Sequence, residues 1–132
     1  MFDTPPLPAA IVALVSSRRL PEPLSECFDS SAPPPDWRML LEMVRLYLEN
    51  PALDRELRGA VALLGAYAYL RTCEYLLFDL VERSNRAIEL LQEAERHGIG
   101  EDDIEPLRAA AFAILEVASA TEAQRDERLR PG

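Results

Sequence analysis

The segment AVALLGAYAYL, Ala60 to Leu70, decides the fold. It carries no charge, it lies between Arg58 and Arg71, and its apolar residues are not confined to one stripe. A surface helix keeps a polar face, whereas a helix that is apolar on every side is buried. The segment is therefore expected to form the middle of a central helix that other helices must cover.

The composition is that of one globular domain. The chain has 132 residues, of which 48% are hydrophobic and 28% charged. The formal net charge is −9, and all 14 basic residues are arginines spread along the chain. An acidic chain without a basic cluster repels phosphate groups, so direct binding to nucleic acid or to an anionic membrane surface is not expected.

The sequence also indicates a cytoplasmic protein. The cysteines, Cys27 and Cys73, are too few and too far apart for a disulfide scaffold or a paired metal motif. The apolar run at 9–15 follows Asp3 and three prolines, whereas a secretory signal begins with basic residues. No apolar run reaches the roughly 18 residues of a membrane span.

Proline divides the chain into regions. Eight of the 11 prolines lie within the first 35 residues. Because proline fixes φ and lacks a donor, residues 1–35 are expected to be a proline-rich arm with one short helix near 8–19. A helical bundle domain is expected over 36–128 and a frayed tail over 129–132. PPLP at 5–8 and APPP at 32–35 resemble ligands of polyproline-binding grooves, although a packed arm is the simpler expectation.

The bundle itself is expected to contain a long helix. Asp36 is positioned to cap a helix that ends at Asn50, and Pro51 is placed to start the next one. From there the helical pattern runs without proline to Gly98, which supplies a left-handed stop. Such a helix is either continuous or broken near 83–85, where Ser or Asn could cap a new helix.

A final alanine-rich helix begins within 102–106 and continues to about 125 by its apolar spacing. The fold class is therefore all-α, a bundle of four to five helices with one long central helix.

Catalytic residues are scarce in this sequence. His97 is the single histidine and suits a helix C-terminus, where a cation is favourable. One histidine cannot form a histidine-rich zinc site, and no Gly-rich phosphate loop or GxSxG elbow is present. Cys73 is interpreted as a packed thiol, because a nucleophilic cysteine needs a nearby base and none is present. No catalytic, cofactor-binding or metal-binding residue is therefore nominated, and the prediction is that the protein is not an enzyme.

The central segment raises the question of a second chain. The helices at 36–50 and 103–125 together are shorter than the long helix that they must cover. A homodimer that completes this cover is the favoured expectation. The interface candidates are Val61, Leu64, Tyr67, Tyr69, Leu70, Tyr75 and Phe78. Arg71 and Glu74 interrupt the apolar run and are the candidates for a buried polar pair.

These observations predict a non-enzymatic helical adaptor or regulatory subunit that acts through contacts with itself or with another protein. One alternative is a helical subunit of a larger nucleoprotein or defence complex, which would touch nucleic acid only with its partners. The other alternative is a small ligand-binding or enzymatic bundle, with a pocket that holds Glu74 together with Tyr67 or Tyr75.

Overall fold

The computed structural model describes residues 3–28 and 36–129, with side chains as far as Thr121 and at Gln124. The APPP motif at 32–35 and the end of the tail at 130–132 lie outside the described residues. The structure confirms an all-helical bundle, and the described ranges contain no strand. The helices are α1 (Ala9–Ser16), α2 (Glu22–Glu26), α3 (Trp37–Glu49), α4 (Arg55–Cys73), α5 (Leu80–Arg96) and α6 (Glu101–Leu129).

The central helix is α4, and its own chain covers it. Every residue from Gly59 to Ala68 is buried. Helices α3 and α5 pack along α4, and α6 and α1 contact it as well. Leu20 and Leu24, which follow α1 in the chain, are also part of this core. Apart from the half-buried Tyr69, the apolar segment at 60–70 is therefore buried without a second chain.

The long helix breaks earlier than the sequence indicated. Residues 74–79 separate α4 from α5, so both expectations, a continuous helix and a break near 83–85, are wrong. Asp79 adopts a left-handed φ of 52°, which aspartate tolerates better than most residues. Ser84 caps no helix, because it is buried and its hydroxyl donates to the carbonyl of Leu80 at 2.7 Å.

Arg83, which was expected to mark the break, instead holds the corner between α4 and α5. Its guanidinium donates to the carbonyl oxygens of Leu76 and Phe78, and to the Thr72 hydroxyl at 3.0 Å. It also lies 5.2 Å from the centre of the Phe78 ring. The corner is thus stabilised by a side chain from the following helix. Capping signals at the corner itself could not predict this contact.

Two expected helix boundaries are confirmed and others shift. The Asp36 carboxylate accepts from the backbone N–H groups of Arg38 and Met39, and Gly98 takes a φ of +93° after α5. Helix α4, however, starts at Arg55 and not at Pro51. The Asn50 side chain accepts from the N–H of Ala52 at 3.0 Å and holds the intervening residues in a turn. Helix α6 starts at Glu101, just before the expected 102–106, and runs to Leu129 and not to about 125.

The glycines of α4 mark places of close approach. A Cβ built on Gly65 would lie 2.9 Å from both the Val44 side chain of α3 and the Leu90 side chain of α5. At Gly59 the nearest atom would be the Cβ of His97, at 3.1 Å. The absence of a side chain at Gly65 therefore lets two helices close over α4 from opposite sides.

Candidate protein-binding groove

The candidate interface residues fall into two groups. Val61, Leu64, Tyr67 and Leu70 are buried in the core of the chain, so they do not form an outer surface. Tyr75 and Phe78 stand at the corner between α4 and α5 and are 52% and 56% exposed. Tyr69 alone is half-buried at the edge of the core, where it lines a surface groove.

The nominated polar residues lie together at the end of α4. A guanidinium nitrogen of Arg71 is 3.4 Å from a Glu74 carboxylate oxygen, and both side chains are partly buried. Glu74 also accepts from the backbone N–H of Thr4 at 3.2 Å, which ties the N-terminal segment to the bundle. Arg71 lies 5.3 Å from the Trp37 ring centre, and Trp37 meets Tyr67 edge to face at 5.5 Å. This cluster joins the arm, α3 and α4.

A groove of about 890 Å³ runs along the surface between α3 and α5. Both helices pack on α4, but they hardly touch one another. Contacts of α4 at Gly65 and Arg58 show that α3 runs antiparallel to it, and the Gly59–His97 approach shows the same for α5. The starts of α3 and α5 therefore lie at the Tyr69 end of the groove, and their ends lie at the Arg58 end.

The floor of the groove is apolar. It consists of Leu41, Val44 and Leu48 from α3, Tyr69 from α4 and Leu90 from α5. Val44 is buried, and the other four are half-buried. Leu41 and Leu48 lie beside the core stripe of α3 and not within it, since the fully covered positions of this helix are Leu40 and Val44. The groove therefore presents aliphatic and aromatic side chains from all three helices.

The rim of the groove is charged, and most of its charges are already paired. Arg45 bridges Glu42 at 2.8 Å and Glu49 at 2.9 Å on α3. On α5, Arg96 pairs with Glu93 at 2.6 Å. An apolar floor between charged walls is the pattern of a surface that receives the apolar face of an amphipathic helix.

The two ends of the groove differ in charge. At one end, Arg58 donates to the carbonyl oxygens of Leu48 and Asn50 at 2.7 and 2.6 Å. Among the described residues no carboxylate neutralises its charge. At the other end, Asp79 and Glu82 line the groove without an ion-pair partner in the described part of the chain. Across the described residues, the Arg58 end therefore carries one unpaired positive charge, whereas the other end carries two unpaired carboxylates beside the unpaired guanidinium of Arg83.

Tyr69 is the one nominated interface residue that the structure places in this groove. Burial raises the pKa of its phenol above the ordinary value of 10.0, with a smaller opposing effect from Arg86. The phenol is therefore neutral at physiological pH. It can accept or donate one hydrogen bond while its ring supplies apolar contact.

The remaining reactive groups lie away from the groove. Cys73 is buried and Cys27 is partly exposed, and burial is the main cause that raises the pKa of each thiol. His97 pairs with Glu93 at 2.9 Å. Across residues 3–28 and 36–129, no three His, Cys, Asp or Glu side chains converge as a metal site would require. No helix in those ranges combines the length and apolar character needed to cross a membrane.

No protein-family model, curated protein or solved structure matches this chain. The function must therefore be argued from the geometry of the surface itself.

The sequence did not reveal the groove. Leu41, Leu48 and Leu90 read as ordinary members of apolar helix faces, and nothing in their spacing says that α3 and α5 stand apart. One signal in the sequence could have indicated the groove. Gly65 and Tyr69 are a small and a large residue one turn apart on the same face of α4.

Proposed function

We propose that this protein is a non-enzymatic helical adaptor or regulatory subunit, and that its α3–α5 groove binds an amphipathic helix of a protein. The observation that carries the proposal is the apolar floor from Leu41 to Leu90, open to solvent between two charged walls. Helix-in-groove recognition uses this combination, in which apolar anchors supply affinity and rim charges set orientation.

The dimensions suit such a ligand. The lining residues run from Leu41 to Glu49 on α3 and from Glu82 to Arg96 on α5, which is nine and 15 residues. At 1.5 Å per residue the two walls are about 13 and 22 Å long, or roughly two and a half and four helical turns. A ligand helix with apolar residues at i, i+3, i+4 and i+7 would place them over the floor.

The alternatives have less support. A ligand-binding or enzymatic bundle was expected to hold Glu74 with Tyr67 or Tyr75 in a pocket, and none of these three lines the groove. A subunit that meets nucleic acid would favour a basic stripe, whereas acids and arginines alternate along the groove walls.

Site-specific photocrosslinking tests the proposal. A benzoylphenylalanine placed at Leu41 or Leu48 lies on the floor of the groove. The matched controls are Met39 and Leu46, which are on the same helix, exposed at 63% and 59%, and outside the groove. In cells that make the protein naturally, irradiation is expected to give discrete protein adducts at the groove positions and not at the controls. Absence of adducts at the groove, or equal adducts at all four positions, would contradict the proposal.

A further inference from the structure

Each helical wall of the α3–α5 groove has more carboxylates than guanidiniums. On α3, the single guanidinium of Arg45 is shared between Glu42 and Glu49. Along the α5 side, four carboxylates line the groove with three guanidiniums. The two walls therefore each carry an excess of one negative charge, although the groove floor is apolar.

The carboxylates without partners lie at the Tyr69 end of the groove. Asp79 and Glu82 are on the lining, and neither forms an ion pair within residues 3–28 and 36–129. The guanidinium of Arg83 is at the same end, but it donates to the carbonyl oxygens of the corner between α4 and α5. Its donors are therefore occupied by the backbone and not by either carboxylate.

Carboxylates from both walls also lie close to the Tyr69 phenol. Burial is the main cause that raises the pKa of this phenol, and Arg86 opposes it. Glu82, Glu42 and Glu89 each raise the same pKa further, which places three carboxylates within electrostatic range of one ring. The Tyr69 end thus combines an aromatic floor with acids on two sides.

A second hollow continues this acidic surface past the α5 rim. It has a volume of about 540 Å³ and shares Asp79, Glu82, Arg86 and Glu89 with the groove. Three of these four side chains are acidic. A long cationic side chain that leaves the groove at this end therefore has room to extend and carboxylates to meet.

We infer that the occupant of the groove is an amphipathic helix of a partner protein, with arginine or lysine residues at the end that lies over Tyr69, Asp79 and Glu82. This inference rests on the proposed function of the groove and names the chemistry of its partner. The apolar floor anchors the helix, and the charges select which helix binds. The alkyl stem of a basic side chain would cover the Tyr69 ring while its charged group meets the carboxylates.

The charge of the whole chain favours the same partner. The net charge of −9 attracts a basic segment from a distance and repels an acidic one. A second copy of this chain has the same excess of acid and is disfavoured for that reason. Arg58 stands at the opposite end of the groove, so the basic residues of the ligand are expected at one end only.

The test is a selection from a displayed library of helical peptides. Each member is about 15 residues long, which matches the longer wall, and has leucine at i, i+3, i+4 and i+7. Lysine and glutamate occupy the flanking positions in equal proportion. Because these two residues favour a helix to a similar extent, the selection reports charge. The wild type is expected to enrich lysine over glutamate at one end of the peptide.

Matched variants show whether the groove carboxylates cause this preference. Glu82→Gln and Asp79→Asn should each raise the Kd of a selected lysine peptide about two- to fivefold, the range of single exposed ion pairs. Asparagine also tolerates the left-handed φ of 52° at position 79. Glu116→Gln makes the same change in net charge on the exposed side of α6, outside the groove, and should leave the Kd unchanged.

Photocrosslinking localises the bound peptide. A benzoylphenylalanine at Leu48, on the groove floor, should crosslink the selected peptide, whereas one at Leu46 should not. Purified protein without peptide gives the control for self-association. Crosslinks from Leu48 to a second copy would assign the groove to this chain itself and overturn the inference.

The remaining outcomes separate this inference from the proposed function. Equal recovery of lysine and glutamate, or enrichment of glutamate, overturns the basic partner and leaves a groove that binds helices. The same holds if Glu82→Gln and Glu116→Gln change the Kd equally. If no library member crosslinks to Leu48, this inference fails. The proposed function fails with it only if the groove positions also give no protein adducts in cells.

Discussion

Helices α4 and α6 are both rich in alanine, but the bundle buries them to different extents. In α4 every residue from Gly59 to Ala68 is buried, because helices of the same chain surround it. In α6 the face with Ile104 is buried, while the outer face, with Ala109, Ala113 and Glu116, is open to solvent. An alanine-rich sequence therefore does not say by itself how much of a helix is covered.

The largest difference between the two helices should appear in thiol reactivity. In a Cys27→Ser background, Cys73 on α4 should react at least about 10³-fold more slowly in the folded protein than in urea, because only unfolding exposes it. Its raised pKa also reduces the reactive thiolate. A cysteine at Ala113, in a chain with both native cysteines replaced by serine, should react within about tenfold of the unfolded rate.

The reaction is followed with a chromogenic disulfide in dilute protein. Fast labelling of Cys73 in the native state would show that α4 is not covered as described. Protection of the cysteine at position 113 that grows with protein concentration would link the outer face of α6 to self-association.

Truncation of a core leucine should have the next largest effect. Leu64 is fully buried in α4, so Leu64→Ala should lower the free energy of unfolding by about 2–5 kcal/mol. Val117→Ala on the outer face of α6 should change it by less than about 0.5 kcal/mol in dilute, monomeric protein. Urea denaturation measures both. Equal losses for the two variants would mean that the faces are equally covered.

Substitution of Gly65, where α3 and α5 both approach α4 closely, should have a smaller effect on the free energy of unfolding. The added methyl of Gly65→Ala would meet Val44 and Leu90 at 2.9 Å, and overpacking of this kind costs about 1–3 kcal/mol. The cost should appear although alanine favours a helix by up to about 1 kcal/mol over glycine. Gly100→Ala, at the foot of α6 with nothing within 4 Å, is the matched control and should be nearly neutral. A stabilised Gly65→Ala protein would show that α3 and α5 do not close over α4.

The smallest effect is a pH dependence at Tyr67. Burial raises the pKa of this phenol above its ordinary value of 10.0, so the unfolded chain ionises first as the pH rises. The corresponding stability is fully present below pH 10 and is lost as the pH rises through the raised pKa. Tyr67→Phe should therefore lose less stability than the wild type between pH 9 and 11. Identical losses in urea titrations at the two pH values would place Tyr67 at an exposed position.

Local sequence signals predicted the start of α3 and the end of α5. Asp36 caps α3 and the left-handed Gly98 follows α5, and each works within one turn of chain. Both features could therefore be predicted from the local sequence. The corner at 74–79 was not predicted, because its carbonyl groups are satisfied by Arg83 from the next helix. Helix α2, with Pro23 near its start, was also missed, since the surrounding prolines indicated an extended arm.

The groove could not be predicted for a related reason. Its existence depends on how far α3 and α5 stand apart, and this distance is set by packing on α4 around Gly65 and not by the pattern of either helix. The sequence nominated Tyr69 because it is aromatic and lies in the apolar segment. It nominated Tyr67 on the same grounds and Leu70 for its place in the segment, and both are buried. Only the packing of α3, α4 and α5 explains why Tyr69 lines the groove while Tyr67 and Leu70 are buried.

Methyl NMR spectra recorded with and without a soluble paramagnetic relaxation agent test the central claim most directly. That claim is that the chain covers α4 by itself while the α3–α5 groove is open to solvent. The account predicts that the agent broadens the methyl signals of Leu41 and Leu48, while those of Val61 and Leu64 stay sharp. Broadening at Val61 and Leu64, or no broadening at Leu41 and Leu48, would contradict it.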